Sequence, residues 1–164
     1  MPILPTNSLD FVSRSAEQTR RLGVRLGALL KTGDVIYLIG DLGSGKTTFV
    51  QGLARGWGAV DPVSSPTFVL VNQYRRLTGG LMHHLDAYRI ATSGEAEDLD
   101  ITTMLDEGVL VVEWAERIAE ALPAEYLKID FSWMGDEQRN LVFLPVGEHY
   151  RKLLDQFRKS AFGG

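Results

Sequence analysis

Short apolar runs alternate with amphipathic stretches along the chain, a pattern typical of an α/β protein. Nearly every residue is apolar in two of these runs, residues 35–39 and 109–112. Both are rich in branched side chains, which predicts strands that are buried on both faces of a parallel sheet. The second run ends at Glu113 and Trp114.

Helical spacing of leucines predicts a first helix over residues 16–30, with Ser15 as its cap. A second helix is predicted from Thr47 to about residue 55, ended by Gly56 and Gly58. Later in the chain we predict a partly helical acidic stretch, a short helix and a final amphipathic helix, over residues 93–105, 115–122 and 149–161.

Alternating patterns separated by turn residues predict two antiparallel hairpins, 67–74 with 81–90 and 127–133 with 140–145. The predicted fold class is therefore α/β, with a mixed, mostly parallel sheet, antiparallel hairpin additions and helices on both faces. We predict a single domain over residues 1–164, with residues 1–10 as an N-terminal arm.

Composition narrows the functional classes. The chain has 164 residues, 45% hydrophobic and 23% charged, with a formal net charge of -4. This charge argues against a surface that binds nucleic acid throughout, because phosphate backbones require clustered Lys and Arg. Cysteine is absent, which excludes disulfides and thiolate zinc sites. With neither a signal-like N-terminus nor a membrane-length apolar run, we expect a cytoplasmic protein.

The segment GDLGSGKT, residues 40–47, matches G-x-x-x-x-G-K-[ST], a phosphate-binding loop (P-loop). The glycines let amide N–H groups approach anionic oxygens, and the N-terminus of the following helix adds further donors. Lys46 supplies a positive charge for the β and γ phosphates, and the Thr47 hydroxyl is a Mg²⁺ ligand. A glycine-rich turn with an accidental lysine is the alternative. No N-K-x-D guanine reader is present, which favours ATP.

A P-loop enzyme also needs an acid at the end of a neighbouring strand. Glu113 ends VLVVE and Asp86 ends LMHHLD, so both are candidates for the metal or for positioning water. The alternatives are a solvated strand end for Glu113 and a turn cap for Asp86. The acidic residues around the predicted helix at 93–105 indicate a solvated helix face; they are Glu95, Glu97, Asp98 and Asp100.

Three further features have competing explanations. Thr67 lies on a loop where a hydroxyl can sense a γ phosphate, although Ser-Pro-Thr is also an ordinary turn. The ring of Trp114 belongs either to the core or beside a nucleotide or a partner. His83 and His84 point to opposite faces of a strand, which argues against a shared zinc ion.

Together these segments resemble the TsaE (YjeE) family of bacterial P-loop ATPases of tRNA threonylcarbamoyladenosine biosynthesis. The similar motifs occur in order over roughly residues 10–145, as GDLGSGKTT, SPTF (65–68), HLDAYR (84–89) and Glu113-Trp114. The chain departs from the family pattern at Ser44, where Ala is usual, at Ala115, where Pro is common, and at Asp100, near a position where Gly is expected.

The resemblance implies a P-loop NTPase-like domain that binds ATP at residues 41–48, with Mg²⁺ on Thr47 and Glu113 and with Asp86 as the switch acid. Thr67 falls in the segment similar to switch I, and Arg139 resembles a family arginine near the base or ribose. The resemblance implies that ATP is bound by Asp41, Leu42, Gly43, Ser44, Gly45, Lys46, Thr47, Thr48 and Arg139. It implies as catalytic residues Lys46, Thr67, Asp86 and Glu113.

The resemblance further implies that TsaB and TsaD are partners and that ATP hydrolysis resets their transferase assembly, with tRNA contacted only indirectly. No cis arginine finger is identifiable from the sequence, with Arg75, Arg76 and Arg89 unplaced. We therefore expect slow hydrolysis by the isolated protein. The alternatives are a small-molecule kinase, which needs an Arg-rich lid, and a nucleotide-gated binding module without chemistry.

Overall fold

A computed structural model describes residues 7–41, 44–63, 71–89 and 99–162. Its strands are β1 Leu9–Ser13, β2 Val35–Ile39, β3 Val71–Arg75, β4 Leu81–Asp86, β5 Gly108–Glu113, β6 Tyr126–Gly135 and β7 Gln138–Val146. Its α-helices are α1 Ala16–Gly27, α2 Lys46–Trp57, α3 Ile101–Glu107 and α4 Glu148–Phe162, and its 3₁₀ helices are η1 Ala87–Arg89 and η2 Ala115–Ala121.

The described strands form one seven-stranded sheet in the order β1-β7-β6-β2-β5-β4-β3. The four central strands β6, β2, β5 and β4 are parallel to one another. Antiparallel strands extend the sheet at both edges, with β7 and β1 on one side and β3 on the other. The predicted α/β class, with its parallel centre and antiparallel hairpins, is confirmed.

The sheet is covered on both faces, as predicted. Side chains such as Ile36, Leu38 and Val111 pack on one face against α1, α2 and α4. Their neighbours Tyr37, Leu110 and Val112 point to the other face, toward α3 and η2. Alternate residues of a strand face opposite sides, so a central strand must be apolar throughout to be buried on both. Among the described residues, no helix has the length and apolar character needed to cross a membrane.

Several predicted boundaries are wrong. The first helix ends at Gly27 rather than at residue 30, and the strand predicted over 81–90 ends at Asp86, directly before η1. Residues 115–121 form a 3₁₀ helix. The C-terminal helix extends one residue beyond each predicted end. Residues 67–70, predicted as part of a strand, and residues 93–98, predicted as part of a helix, lie outside the described residues.

Gly56 does not end α2, which continues to Trp57 and is capped by the left-handed Gly58. The reason is tertiary packing. Cβ atoms on Gly52 and Gly56 would overlap the carbonyl oxygens of Arg20 and Val24 in α1. Cβ atoms on Gly23 and Gly27 of α1 would likewise overlap carbonyl oxygens of α2. These four glycines therefore bring the two helix backbones into direct contact.

We expect Gly27→Ala to lower the free energy of unfolding by about 1–3 kcal/mol, because the new methyl group overpacks the contact between α1 and α2. Alanine at an exposed helical glycine would instead stabilise by about 0.5–1 kcal/mol. Urea unfolding measures the change, with Lys152→Ala on the exposed side of α4 as a control expected within about 0.5 kcal/mol of the wild type. A Gly27→Ala protein of increased stability would contradict the packing argument.

Candidate functional site

The P-loop connects the end of β2 to the start of α2, at the carboxyl edge of the parallel strands. Gly40 has a φ of 151°, and a Cβ there would lie 2.7 Å from the carbonyl oxygen of Phe131 and 2.8 Å from Ser44 Oγ. Gly45, the cap residue of α2, is left-handed with a φ of 102°. Leu42 and Gly43 lie outside the described residues. Both described loop glycines thus occupy conformations that other residues rarely adopt.

Lys46, the first residue of α2, is 8% exposed. Its Nζ donates a hydrogen bond to the carbonyl oxygen of Gly40 at 2.5 Å. The same Nζ lies 3.5 Å from Oε1 of Glu113, at the end of β5. The predicted lysine and the predicted strand-end acid therefore meet, which follows from the parallel pairing of β2 with β5.

Glu113 is 8% exposed, which excludes the solvated strand end considered above. Its Oε2 lies 2.7 Å from Nε2 of His84 on β4, and Nδ1 of His84 lies 3.0 Å from the hydroxyl oxygen of Tyr74 on β3. Burial raises the pKa of Glu113, but the His84 hydrogen bond and the Lys46 charge outweigh it and hold this pKa below its ordinary value. The carboxyl group is therefore ionised at neutral pH.

Asp86 is paired in register with Glu113 at the ends of the adjacent strands β4 and β5. Its Oδ1 accepts a hydrogen bond from the Tyr88 amide at 3.0 Å, so it caps the turn into η1 as the alternative explanation proposed. Its metal role stays a prediction. Thr47 and Thr48 follow Lys46 in the first turn of α2, and Thr67 lies outside the described residues.

A cavity of about 740 Å³ opens beside the loop. The P-loop lines it with Gly40, Asp41, Ser44 and Lys46. Further lining residues are Trp114, directly after β5, and Asp130, Ser132 and Trp133 of β6, among others. Ser44 Oγ is buried and has no hydrogen-bond partner among the described residues. Such a polar atom requires a partner. An anionic ligand in the cavity would provide one.

Trp114 lines this cavity and is partly buried. It is left-handed, with a φ of 61°, and its ring centroid lies 5.5 Å from Nζ of Lys46 and 5.0 Å from the ring of Tyr88. A left-handed conformation is costly for a bulky residue and concentrates at functional sites. The ring packs against the core on the η2 side of the sheet and also lines the cavity, so the structure agrees with both explanations considered for Trp114.

The arginines are distributed over different surroundings. The side chain of Arg139 passes close to the start of α2, because a Cβ built on Gly45 would lie 3.5 Å from the Arg139 Cγ. The Arg139 guanidinium donates a hydrogen bond to the carbonyl oxygen of Asp136. Arg75 pairs with Asp61 at 3.1 Å, and the Arg76 guanidinium lies 4.0 Å from the Trp57 ring centroid. Neither Arg75 nor Arg76 lines the cavity. The role predicted for Arg139 at the base or ribose stays a prediction.

His84 is a polar contact of the site that the sequence prediction missed. The signal was present, because His84 occupies the same strand face as the buried Met82 and the candidate acid Asp86. His83 points away from it, with Nε2 3.2 Å from Glu107. The two histidines thus have separate surroundings, and the part of the chain that the structure describes contains no cluster of three or more His, Cys, Asp or Glu residues suited to a metal ion.

The residues present fit Mg²⁺ bound together with a nucleotide. Mg²⁺ is usually held by one or two protein oxygens together with substrate phosphates and water, rather than by an all-protein cage. Thr47 follows Lys46 in the first turn of α2, and Glu113 contacts Lys46, so these two residues would supply oxygen ligands to such an ion. The buried Ser44 hydroxyl lines the cavity beside them.

The fold and the loop define a P-loop NTPase-like protein of the α/β class. Residues 13–141 match the family described as threonylcarbamoyl adenosine biosynthesis protein TsaE. The chain is 40% identical over 153 residues to a Bacillus subtilis protein named tRNA threonylcarbamoyladenosine biosynthesis protein TsaE, covering 92% of this chain and 94% of that protein. The protein of the same name from Treponema pallidum is 41% identical over 132 residues, covering 79% and 96% of the two chains.

A crystal structure of Bacillus subtilis YdiB superposes with a TM-score of 0.76 at 32% identity, covering 93% of this chain and 95% of that one. The chain belongs to the TsaE family. Asp100, near a position where the family resemblance suggested glycine, is left-handed with a φ of 52° and caps α3 by accepting from the Thr103 amide. Asparagine and aspartate tolerate this conformation better than most residues, which explains the departure.

We expect Gly40→Ala to lower the stability by about 1–3 kcal/mol and to reduce nucleotide binding by at least tenfold, because its Cβ meets the Phe131 carbonyl and Ser44. Gly33→Ala is a matched control, since Gly33 has a φ of 96° but no atom within 4 Å of the new Cβ. The Gly33→Ala variant therefore shows the effect of backbone strain alone, without the atomic overlaps that Gly40→Ala creates at the loop. Urea unfolding and calorimetric titration with ATP measure the two effects, and wild-type ATP affinity in Gly40→Ala would contradict the prediction.

Proposed function

We propose that this chain binds ATP with Mg²⁺ at the P-loop and hydrolyses it slowly to reset the TsaB–TsaD transferase assembly between rounds of tRNA threonylcarbamoyladenosine formation. Membership in the TsaE family supports the pathway. The observation that carries the ATPase proposal is the contact between Lys46 of the loop and Glu113 of the neighbouring strand, at 3.5 Å beside an open cavity. Phosphoryl-transfer sites combine a lysine that contacts the phosphates with an acid at the end of a neighbouring strand.

Different parts of the proposed site would bind the phosphates and the metal ion. The helix N-terminus and the loop amides at Gly45 and Lys46 attract the phosphate oxygens, and Lys46 adds a full positive charge. Mg²⁺, when bound, would neutralise negative charge on the β and γ phosphates. Glu113 and Thr47 would hold it, with Asp86 at the end of the adjacent strand to orient water or the metal's water ligands.

Two residues complete the proposed site at its margins. Thr67 would report the presence of the γ phosphate, as its place in the switch I-like segment implies. Arg139 would contact the base or ribose, as its resemblance to a family arginine implies, and its aliphatic stem passes beside Gly45 at the start of α2. The remaining loop residues predicted to bind ATP, from Asp41 to Thr48, would surround the phosphate chain.

The contacts of Arg75 and Arg76 support slow intrinsic turnover, and the side chain of Arg89 lies outside the part of the chain that the structure describes. An arginine that reaches the γ phosphate accelerates hydrolysis by about 10³ to 10⁵. Arg75 and Arg76 contact Asp61 and Trp57 instead. A partner that supplies or orders a positive charge at the cavity would therefore raise the rate, which accounts for the proposed dependence on TsaB and TsaD.

We expect the isolated protein to hydrolyse ATP slowly and to be stimulated at least tenfold by TsaB and TsaD together. Phosphate release is measured with and without the partners, and Lys46→Ala should remove both rates because it removes the charge on the phosphates. Lys152→Ala, on the exposed side of α4, is the control for a lost lysine. Equal wild-type rates with and without the partners would contradict the proposal.

The reset function makes a separate prediction for the modification reaction. TsaB and TsaD alone should form threonylcarbamoyl-tRNA for about one round, and this chain with ATP should allow many rounds. The product is counted per transferase assembly over time, with Lys46→Ala as the nucleotide-binding control. Phosphate transfer to a nucleoside or metabolite, in place of sustained tRNA modification, would favour the small-molecule kinase instead.

A further inference from the structure

A line of polar contacts runs from the sheet to the P-loop, and two of its four members, Tyr74 and His84, have no part in the proposed mechanism. Tyr74 on β3 contacts His84 on β4, His84 contacts Glu113 on β5, and Glu113 faces Lys46 at the start of α2. Each member comes from a different element, so the line exists only when β3, β4 and β5 pair in their observed register.

His84 lies at the centre of this line and is fully buried. Its ring points to the face of the sheet that α2 covers, the same face as the apolar Met82 on β4 and Val111 on the neighbouring β5. A buried imidazole in such a layer requires a hydrogen-bond partner for each ring nitrogen. Both partners are present, at 2.7 Å on Nε2 and 3.0 Å on Nδ1.

The partners determine the tautomer of a neutral His84. An ionised carboxylate can only accept hydrogen bonds, so Nε2 of His84 carries the proton and donates it to Glu113 Oε2. Nδ1 is then an acceptor, and the Tyr74 hydroxyl donates to it. Tyr74 therefore sets the orientation of His84, and His84 in turn sets the orientation of Glu113.

The two carboxylate oxygens of Glu113 consequently have different roles. Oε2 is bonded to His84, whereas Oε1 is turned toward Nζ of Lys46 at 3.5 Å. Without the His84 bond, the glutamate side chain could rotate and follow the Lys46 charge. With the hydrogen bond from His84 in place, Oε1 of Glu113 keeps one position when the Lys46 side chain turns toward a phosphate group.

We infer that His84 is a positioning residue that holds Oε1 of Glu113 ready for Mg²⁺ bound with ATP, and that Tyr74 fixes the ring of His84. This inference rests on the proposed function, because it assigns His84 a role toward the metal at that same site. Removing a group that hydrogen-bonds to a metal ligand and orients it typically lowers the affinity for the metal by about 10–100-fold.

A matched pair of variants separates the hydrogen bond from the mere volume of the ring. Glutamine at position 84 carries an amide N–H at about the reach of the imidazole Nε2, whereas asparagine carries the same group one methylene shorter. We expect His84→Asn to weaken ATP binding in Mg²⁺ by at least tenfold and His84→Gln to stay within about threefold of the wild type. In EDTA the affinity of both variants for ATP should change less than twofold.

Calorimetric titration measures the affinities, and thermal melting shows whether each variant is folded. Tyr74→Phe is expected to weaken Mg²⁺-dependent binding by about two- to fivefold, because the ring of His84 loses its second hydrogen bond. Equal losses in His84→Asn and His84→Gln would mean that only the shape of the ring matters and would overturn the inference. Wild-type affinity in both variants would overturn it as well.

A spectroscopic measurement tests the geometry without nucleotide or metal. The sequence has three histidines, so selective ¹⁵N-histidine labelling gives a small set of ring signals that single variants assign. We expect Nε2 of His84 to carry a proton that is slow to exchange, and we expect a changed Nδ1 signal in Tyr74→Phe. An unprotonated Nε2 would overturn the inference. Absence of ATP binding by the wild type, with Nε2 of His84 protonated, would instead contradict the proposed function.

Discussion

The contact between Lys46 and Glu113 is the interaction on which the organisation of the site depends. Both side chains are about nine-tenths buried, so each charge has lost most of its water. Such a pair is tolerated only where further hydrogen bonds complete it, and removing one partner typically costs about 3–5 kcal/mol. Gly40 and His84 supply those bonds, one from the loop and one from the sheet. The site thus holds a balanced pair of charges that a phosphate and a metal ion can each complement.

The direction in which α2 presents Lys46 is set by backbone contact rather than by long side chains. Gly52 and Gly56 of α2 lie against carbonyl groups of α1, and Gly23 and Gly27 of α1 lie against carbonyl groups of α2. Phe49, which follows the loop by one turn, packs edgewise on Phe131 at a centroid distance of 5.5 Å. Because interiors packed at this density have little room to adjust, the helix N-terminus is fixed relative to the sheet edge.

The sequence was sufficient to predict the parts of the site that depend on local pattern. The apolar run before Gly40, the loop motif and the strand ending at Glu113 each carry their own signal, and the strands were found where predicted. Gly56 was misread because its place inside α2 depends on contact with α1. The hydrogen bond from His84 to Glu113 was missed because it depends on the register of β4 on β5. The left-handed Trp114 likewise depends on its tertiary surroundings.

Trp114 connects the charged centre of the site to the protein surface. Its ring lies close to both Lys46 and the half-exposed Tyr88, and the Arg117 guanidinium lies 5.0 Å from the Tyr88 ring centroid. Tyr88 also donates its amide to Asp86, the other strand-end acid. A displacement of Asp86 would therefore shift Tyr88, and through it the wall of the cavity. The same short segment thus joins an acid of the candidate site to an exposed aromatic side chain.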